Sequence, residues 1–580
     1  MVVTQTIRPL KTMADLLRMV QELPENPRAL NDHVKGSWIA MSTSAYIEAI
    51  KYLSLCFIKR GFKKGDMCGI LAPPSARWTI ADIAIMIAGG VTVPLFANIS
   101  EDNFVFEVTQ SEVKWLLVSG IDQWALVARH RSLFNHVLSL DEGFDQLIEE
   151  GKAFEKEHPT LWDNLCAACS PDELATIIYT SGTTGVPKGA ELTQSNLCSL
   201  LHLDYFHWNG LTDRYLSILP LSHIFARMLN FILLSWGVSI YYFNDIKNIA
   251  GICREIHPTV LVVVPRLLEK VYAKMLLTIE HAGLLKKLVG KWAFALALND
   301  HDTLSKHLMQ PLADKIVYSS LRDALGGSLR VVISGGAPLS PHLGHFFNEI
   351  GVPIYEGWGL TEGTPITVNR PGHNKIGTVG LPLDQMEIKI LEDGEILARG
   401  PLIMRGYHYD PANTAKALDH EGWLHTGDKG SIDEEGFLTI IGRLKELYKT
   451  STGEWIAPIP IEQALGRMPL IDMAVVVGDT KKFTSCLLFP NFDVVVSLKN
   501  SHGMTHLSNQ EFLNTAFVKS EMSKILAEIN KHVNQWERIH VYRFIDQPPT
   551  IEGGELTPSM KIRRDVVFKK YKHLIDEMYA

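Results

Sequence analysis

The chain has 580 residues, which is too long for a single hydrophobic core. Its composition, 46% hydrophobic and 21% charged residues, is typical of globular proteins. The formal net charge of −8 argues against a general nucleic-acid binder, because no basic surplus exists to meet the phosphates along a duplex. Seven cysteines, an odd number without framework spacing, are typical of a reducing compartment.

Apolar strand-like runs alternate with amphipathic segments along the chain, which predicts a layered α/β protein. Tyr46, Ile50, Leu53 and Phe57 recur on one helical face, and Gly61 ends that helix. The predicted strands cover residues 67–71, 115–118, 176–179, 215–219, 260–264 and 330–333. Their continuous apolar character is typical of strands covered on both faces, and we therefore expect parallel-rich sheets.

Two longer apolar runs are candidates for membrane spans. Residues 80–96 are interrupted by Asp82 and by a glycine pair, and residues 229–243 are shorter than the ~20 residues that a span requires. The first residues also lack the apolar core of a signal peptide. We therefore expect no transmembrane segment and a cytoplasmic location.

Residues 178–189 suggest a binding site for a polyphosphate. Hydroxyl residues, glycines, a proline and Lys188 follow an apolar strand directly. Glycines let backbone N–H groups turn toward an anion, while the hydroxyls add donors and the lysine adds positive charge. The segment differs from the common phosphate loop because no hydroxyl residue follows Lys188. Taken alone, it is also compatible with a flexible hairpin between two strands.

A second glycine-rich turn, at residues 334–338, follows a predicted strand and precedes a helix that starts at Ser340-Pro341 and stops at Gly351. Doubly wound sheets bind ligands at such turns. Residues 392–394 and 433–436 then carry turn signals typical of an antiparallel region. After residue 445 the pattern is α+β, with a strand at 473–477 and a helix at about 510–532.

Five segments resemble, in the expected order, the motifs of the adenylate-forming (AMP-binding) enzymes, which include acyl-CoA synthetases and firefly luciferase. They lie at residues 180–189, 355–362, 422–428, 442–446 and 556–561. The last segment, with the pattern Leu-Thr-Pro-x-x-Lys, is similar to the long-chain fatty acyl-CoA synthetases. The resemblance implies a large α/β N-terminal adenylation domain with an antiparallel subdomain (residues 1–442) and a small α+β lid that rotates on it (443–580).

The activity implied by the resemblance is activation of a medium- or long-chain fatty acid by ATP and Mg²⁺. The acyl-AMP would pass to coenzyme A, giving acyl-CoA, AMP and pyrophosphate. Three rivals stay open: a fatty acyl-AMP ligase that loads a carrier protein, a luciferase-like oxygenase and a non-catalytic scaffold that binds acyl groups or nucleotides. Because a fatty substrate would be drawn from a bilayer, peripheral membrane contact also stays open, as does the oligomeric state.

The resemblance also implies particular site residues. Catalytic roles fall to Lys561, Thr184, Glu362 and His223, with Thr184 and Glu362 sharing the Mg²⁺ as hard oxygen ligands. The residues expected to bind ATP or coenzyme A are Thr180, Ser181, Gly182, Thr183, Thr184, Gly185, Lys188, Gly335, Gly336, Ala337, Glu356, Gly357, Trp358, Gly359, Thr361, Asp428, Arg443, Lys445, Lys449 and Trp455.

Several of these residues have an ordinary structural alternative. Trp358, which stands where the family most often has a tyrosine that stacks on adenine, would otherwise pack in the core. Asp428, expected at the ribose, would otherwise be a turn aspartate. His223 would be a satisfied core histidine, and Lys561, preceded by Met560 where the family often has glycine, an exposed lysine in a basic tail.

Overall fold

The structure is a computed structural model that describes residues 10–180, 186–245, 248–298, 304–451, 454–557 and 561–580. Its first sheet is parallel except at one edge, where two antiparallel strands are added. In spatial order the strands are Gly406–Tyr407, Lys188–Thr193, Leu174–Thr180, Val91–Leu95, Met67–Leu71, Trp115–Val118 and His136–Ser139.

The second sheet has a parallel centre and antiparallel strands at both edges. In spatial order its strands are Leu381–Pro382, Gly363–Val368, Ile354–Leu360, Val331–Ser334, Val260–Val263, Arg214–Ser217, Ser239–Tyr242, Leu30–Val34 and Ser37–Met41. The central strands of both sheets are buried along their length, as their continuous apolar sequences predict.

An antiparallel sheet follows, and the C-terminal region then builds a sheet of its own. The antiparallel sheet contains Glu387–Ile390, Glu395–Arg399, Leu424–Ile432 and Leu438–Arg443. A short hairpin pairs Tyr448–Lys449 with Trp455–Ile456. The C-terminal sheet contains Ile471–Val477, Thr484–Pro490 and Ile539–Phe544.

Helices cover the faces of these sheets. Up to residue 417 the α-helices are Met13–Gln21, Thr43–Lys59, Ala76–Ile87, Glu101–Gln110, Ile121–Arg129, Phe144–Glu157, Leu161–Ala168, Gln194–Cys198, Ile224–Ser235, Ile249–Ile256, Pro265–Glu280, Leu284–Ala297, Leu304–Ala313, Ser319–Asp323, Pro341–Glu349 and Pro411–Ala417. The C-terminal helices are Pro458–Gly466, Phe492–Ser501, Asn509–Leu513, Ala516–Ile529, Arg564–Lys570 and Lys572–Tyr579. This architecture confirms the predicted α/β class with its antiparallel part and its small α+β C-terminal domain.

The structure differs from the sequence predictions at particular element ends. The long helix expected at 510–532 is two helices, because Thr515 leaves the helical conformation and accepts a hydrogen bond from the Val518 N–H as an N-cap. Ser340 stands at the N-cap of Pro341–Glu349, but its side chain makes no capping hydrogen bond. Pro341 in the first turn therefore supports this helix start without a hydroxyl cap.

A fully buried ion pair joins three elements of the N-terminal domain. Arg227 on helix Ile224–Ser235 binds both carboxylate oxygens of Asp82 on helix Ala76–Ile87, with Nε at 2.7 Å from Oδ2. Its Nη1 donates to Thr176 Oγ1 at 2.8 Å. Neither charged side chain has any exposed surface. The apolar run at residues 80–96 is thus a core helix and strand whose one charge is paired.

None of the helices within the described ranges is both long enough and apolar enough to cross a bilayer.

Candidate functional site

A cleft of about 1340 Å³ opens where the C-terminal region faces the sheets of the N-terminal domain. The ends of strands Leu174–Thr180 and Val331–Ser334 border it, as does strand Ile354–Leu360. The predicted residues that line it are Thr180, Lys188, His223, Gly336, Ala337, Gly357, Trp358, Gly359, Thr361, Glu362, Asp428, Arg443, Lys445 and Lys561. The fold therefore brings together residues that lie nearly 400 positions apart in the chain.

Part of the predicted polyphosphate-binding segment lies outside the described residues. This part contains Ser181, Gly182, Thr183, Gly185 and Thr184, the proposed Mg²⁺ ligand. The residues on either side are described: Thr180 and Lys188 face each other across antiparallel strands and both line the cleft. Any anion held between these strand ends would meet the Lys188 ammonium group.

Asp428 is held at the wall of the cleft by two donors. Arg443 is its partner across the antiparallel ladder and donates Nε to Asp428 Oδ1 at 2.8 Å. Trp358 donates its indole Nε1 to Oδ2 at 3.0 Å. Burial raises the pKa of the Asp428 carboxyl, while Arg443, Trp358 and Lys561 act in the opposite direction. Each carboxylate oxygen keeps lone-pair capacity for a further donor such as a hydroxyl group.

Lys561 enters the same cleft from the C-terminal region. Its backbone N–H donates to Thr557 Oγ1 at 3.0 Å, and the Thr557 N–H donates to the Lys561 carbonyl at 2.8 Å. The Lys561 side chain keeps exposed surface within the cleft. The protein around it nevertheless reduces its hydration, and this desolvation lowers the pKa of the ammonium group. Arg443 lowers that pKa further, whereas Asp428 and other carboxylates nearby raise it.

Glu362 has a hydrogen-bond partner that no sequence motif predicted. The Tyr407 hydroxyl donates to Glu362 Oε1 at 2.6 Å. The Lys188 ammonium lies 5.1 Å from the centre of the Tyr407 ring. Tyr407 therefore contacts both Glu362 and the first residue of strand Lys188–Thr193. Tyr407 lies on a two-residue strand that pairs with Lys188–Thr193, and no motif marks it.

A Mg²⁺ ion fits this carboxylate if it is shared with a substrate phosphate. Within the ranges that the structure covers, no three His, Cys, Asp or Glu side chains are grouped to hold a metal by themselves. Mg²⁺ needs no such cage, because it is usually bound through one or two carboxylates together with substrate phosphates. Glu362, which lines the cleft beside Lys188, matches that kind of site.

The turn after strand Val331–Ser334 packs closely against a neighbouring aromatic ring and the backbone of strand Ile354–Leu360. A Cβ atom on Gly335 would lie 3.0 Å from the Phe225 ring and 3.3 Å from the Gly357 carbonyl oxygen, and Gly336 has a φ of +80°. Gly336 and Ala337 line the cleft, whereas Gly335 packs behind it. Small residues are thus required here for packing as well as for ligand access.

Glu356 supports this turn and does not line the cleft. Its Oε2 accepts a hydrogen bond from the Leu339 N–H at 2.8 Å, and burial raises the pKa of its carboxyl to about 8. The residues that follow it on the strand, from Gly357 onward, do line the cleft. The Glu356 side chain therefore contacts the turn and not the cleft.

His223 is the N-cap of helix Ile224–Ser235. Its Nδ1 accepts a hydrogen bond from the Phe225 N–H at 3.2 Å, so the neutral ring carries its proton on Nε2. Burial, with the nearby Lys561 charge, lowers the pKa of the imidazole to about 4. At neutral pH the ring is therefore uncharged and has one N–H left to donate.

Part of the cleft lining is apolar, including residues of the helix that His223 caps. The side chains come from helix Ile224–Ser235, from the segment that precedes strand Arg214–Ser217, and from the loop after strand Leu381–Pro382. They include Leu200, Leu203, Phe206, Trp208, Phe225, Leu229, Ile232 and Leu383. Such a wall suits a hydrocarbon chain because contact with it removes apolar surface from water.

Polar contacts hold the C-terminal region over the cleft. Arg266, at the start of helix Pro265–Glu280, donates Nη2 to Asp472 Oδ2 at 2.6 Å. Gln463 donates Nε2 to the Pro338 carbonyl oxygen at 2.5 Å, directly at the glycine-rich turn. These contacts accompany the arrangement in which Lys561 lies beside Asp428 and Glu362.

Lys449 and Trp455 lie outside this cleft. They are opposite each other in the short hairpin, with Lys449 Nζ at 4.7 Å from the centre of the Trp455 ring, and Trp455 is 57% exposed. The Trp536 indole donates to the Trp455 carbonyl oxygen at 3.2 Å. A second cavity of about 330 Å³ adjoins them and is lined by Thr450, Lys482, Phe483, Gln535, Trp536, Arg538 and His540.

The fold and the cleft define an α/β protein in which a small C-terminal domain delivers a lysine to a site built by a large N-terminal one. A family model described as AMP-binding enzyme matches residues 18–408, and one described as AMP-binding enzyme C-terminal domain matches residues 446–580. The chain belongs to the AMP-binding enzyme family, which confirms the resemblance that its motifs indicated.

Relatives match along nearly the whole chain. A protein of Mycobacterium bovis named long-chain-fatty-acid–CoA ligase FadD15 is 34% identical over 566 residues, covering 94% of this chain and 93% of its own. Long-chain-fatty-acid–CoA ligase ACSBG2 of Xenopus laevis is 30% identical and covers 95% of this chain and 81% of its own.

Among solved structures, the adenylation domain of a carboxylate reductase from Mycobacterium chelonae aligns with a TM-score of 0.77 at 19% identity, covering 98% of this chain and 91% of its own. The corresponding domain from Segniliparus rugosus, in complex with AMP and a carboxylic acid, aligns with a TM-score of 0.75 at 20% identity, covering 98% and 94%. At these identities the similarity shows the fold.

Proposed function

We propose that this protein is a fatty-acid–CoA ligase that uses ATP and Mg²⁺ to convert a medium- or long-chain fatty acid to acyl-AMP and then to acyl-CoA. The observation that carries the proposal is one cleft in which the charges of Asp428 and Glu362 act on Lys561 and part of the lining is apolar. The names of the relatives, long-chain-fatty-acid–CoA ligases, support the same substrate class.

The first step joins a carboxylate to a polyanion, so charge has to be neutralised where it develops. A carboxylate oxygen attacks the α-phosphorus of ATP, the bond to the β-phosphate breaks, and pyrophosphate leaves. Lys561 stabilises the charge shared between the carboxylate and the α-phosphate, because it is a cation in a partly desolvated cleft. Lys188 faces the β- and γ-phosphates beside Thr180.

Glu362 and Thr184 would hold the Mg²⁺, which supplies further charge neutralisation at the phosphates when bound. Tyr407 donates a hydrogen bond to one oxygen of Glu362 and thereby orients the carboxylate. Asp428 accepts hydrogen bonds from the ribose hydroxyls, with Arg443 and Trp358 holding the carboxylate in place. Trp358 and the turn at Gly336 and Ala337 enclose the adenine between an aromatic face and small residues.

His223 orients the acid. Its neutral imidazole donates Nε2–H to the substrate carboxylate, so it directs the oxygens without adding a second cation that would compete with Lys561. The hydrocarbon chain then extends along the apolar wall that includes Phe225, Leu229 and Ile232. Polar groups at one end and apolar groups at the other match an amphipathic acid.

The second step requires the C-terminal domain, residues 443–580, to move as a lid. Lys445 is the proposed pivot, next to Arg443 at the end of the antiparallel sheet. The contact between Arg266 and Asp472 and the contact between Gln463 and Pro338 both have to break. Both are polar contacts at a cleft edge, and an ion pair of this kind is worth only about 0–1 kcal/mol, which suits a reversible closure.

Coenzyme A would meet the lid at the hairpin of Lys449 and Trp455 and at the adjoining cavity. Lys482 and Arg538 supply cations for its phosphates there, and Trp536 supplies an aromatic face. We expect Arg538→Ala to raise the KM for coenzyme A several-fold while pyrophosphate release without coenzyme A stays at the wild-type rate. An unchanged KM would remove Arg538 from the coenzyme A site.

The reaction is tested by pyrophosphate release with straight-chain acids from acetate to eicosanoate and with aryl acids, each with and without coenzyme A. Release that peaks among medium or long acids and yields acyl-CoA is the expected result. Pyrophosphate release without any thioester would instead indicate a carrier-loading adenylase. If no acid supports release, ATP binding by calorimetry separates a scaffold from an enzyme with another substrate.

A further inference from the structure

The helical layer that follows helix Pro265–Glu280 leaves many large apolar side chains in water. Helix Leu284–Ala297 exposes Leu284, Leu285 and Leu288, with exposed fractions of 76%, 79% and 58%. The next helix, Leu304–Ala313, and the π-helical turn that continues it add a second set. Leu308, Met309, Leu312 and Ile316, of which Leu308 is 70% exposed, form that set. We call these seven residues the apolar face.

The two sets belong to helices that pack together. Leu308, Leu312 and Ile316 recur every four residues, which places them along one side of the helix and its continuation. Ala313 and Tyr318, also on this segment, are buried. The Tyr318 hydroxyl donates to the carbonyl oxygen of Ala293 on the neighbouring helix at 2.8 Å. Exposed apolar surface on this scale marks an interaction site in a folded protein.

The segment that carries the apolar face has more lysines than acidic residues, in a protein that is acidic overall. Residues 270–318 contain seven lysines and four acidic residues, Glu280, Asp300, Asp302 and Asp314. The lysines are Lys270, Lys274, Lys286, Lys287, Lys291, Lys306 and Lys315. The layer therefore carries a surplus of three positive charges, although the whole chain carries −8. Lys286 and Lys287 stand directly between the exposed Leu285 and Leu288.

We propose that the apolar face docks this protein on the surface of an anionic phospholipid bilayer. The leucines enter the boundary between headgroups and acyl chains, and exposed lysines such as Lys286 and Lys315 contact the anionic headgroups, as in helices that lie in a membrane interface. Lys287 and Lys291 are instead paired with Glu280, and the buried Lys306 is paired with Glu349. A second copy of the chain fits poorly, because two such faces would bring their positive surpluses together. The helices lie on the surface, consistent with the lack of any membrane-crossing helix in the described ranges.

The position of this face gives it a use that rests on the proposed function. Helix Pro265–Glu280 connects the two regions: Pro265 and Arg266 line the cleft, and the apolar face begins just after Glu280. Its 16 residues span about 24 Å at 1.5 Å per residue. A fatty acid dissolved in the bilayer would therefore leave it within one helix length of the cleft.

The test is co-sedimentation of the full-length protein with vesicles of phosphatidylcholine alone and of phosphatidylcholine with phosphatidylglycerol. We expect binding to the anionic vesicles that weakens as salt is added. The double variant Leu285→Ser with Leu288→Ser should bind the vesicles at least about tenfold more weakly than the wild type, because it removes apolar surface that would be buried in the bilayer. Lys286→Glu with Lys315→Glu should abolish the preference for anionic lipid.

Leu211→Ser is the matched control, because Leu211 is 74% exposed but lies outside this layer, and it should bind vesicles as the wild type does. Wild-type protein that stays in the supernatant, or leucine variants that bind like wild type, would overturn the proposal. So would a dimer that depends on Leu285 and Leu288 and does not bind vesicles, since the face would then join two copies.

Activity measurements separate this proposal from the proposed function. Acyl-CoA formation from a dissolved medium-chain acid should be the same in the leucine variant and the wild type. Formation from a long-chain acid carried in anionic vesicles should fall in parallel with vesicle binding. Co-sedimentation measures vesicle binding directly, so it tests the membrane contact even if the protein has no ligase activity.

Discussion

At the scale of single residues, the charged groups of the cleft depend on one another. Arg443 binds Asp428, and both act on the pKa of Lys561, one lowering it and the other raising it. His223 is kept neutral beside that lysine. The motif segments predicted Asp428, Arg443 and Lys561 individually, but only their packing shows that Arg443 is paired with Asp428 while Lys561 lines the cleft.

We expect Lys561→Ala to lower the rate of acyl-AMP formation by about 10²–10³-fold, because it removes a cation aimed at charge that develops in the transition state. ATP binding and thioester formation from supplied acyl-AMP should be largely retained. Pyrophosphate release measures the first effect and calorimetry the ATP affinity. Lys569→Ala removes an exposed lysine from the same C-terminal segment and serves as the control. Normal pyrophosphate release by Lys561→Ala would refute the role.

The lowered pKa of Lys561 predicts the alkaline limit of the first step. The group acts as a cation, so kcat/KM for ATP should fall as pH rises through its pKa, at a pH below the ordinary lysine value. Lys561→Arg should move this decline to higher pH, since guanidinium stays charged. A pH profile with the same alkaline limit in both proteins would assign the decline to another group.

At the scale of elements, the Asp82–Arg227 pair joins a helix of one sheet layer to the helix that His223 caps. Asp82→Asn leaves a buried guanidinium without its counter-charge and should lower the free energy of unfolding by about 3–5 kcal/mol. Thermal and urea unfolding measure this. Asp82→Leu with Arg227→Met should recover most of the loss, because a buried pair can be replaced by apolar groups of similar size.

The exposed pair of Arg399 and Glu387 provides the comparison for that experiment. Glu387→Gln should leave the unfolding midpoint unchanged within error, since exposed ion pairs contribute little. If Asp82→Asn were equally harmless, the interior pair would have no structural role and the helix that carries His223 would be held by apolar packing alone.

At the scale of the whole molecule, the proposed function makes the site complete only when the C-terminal domain brings Lys561 into the cleft. Arg266→Ala removes the ion pair to Asp472 and should lower the rate of pyrophosphate release by at most about fivefold, because such pairs contribute about 0–1 kcal/mol. Thioester formation from supplied acyl-AMP should not slow. A comparable loss in both half-reactions would mean that Arg266 stabilises the fold and not one lid orientation.

Much of this molecule follows from local sequence. Strands such as Met67–Leu71 and Trp115–Val118 were predicted at their exact ends, because a buried strand requires consecutive apolar residues and a turn at each end. The AMP-binding family was predicted as well, because each of its motifs is a short contiguous segment and their order can be seen directly in the sequence. The α/β class and the small C-terminal domain are confirmed with it.

The tertiary structure decided what depends on distant contacts. Tyr407 binds Glu362, 45 residues away, and Arg227 binds Asp82, 145 residues away; neither pair leaves a periodic signal. Glu356 belongs to a motif, yet its carboxylate turns to the Leu339 N–H, because the turn it supports is buried beside it. Sequence patterns record which faces must be covered and where turns begin, whereas the partner of a buried polar group is chosen only when separate elements pack together.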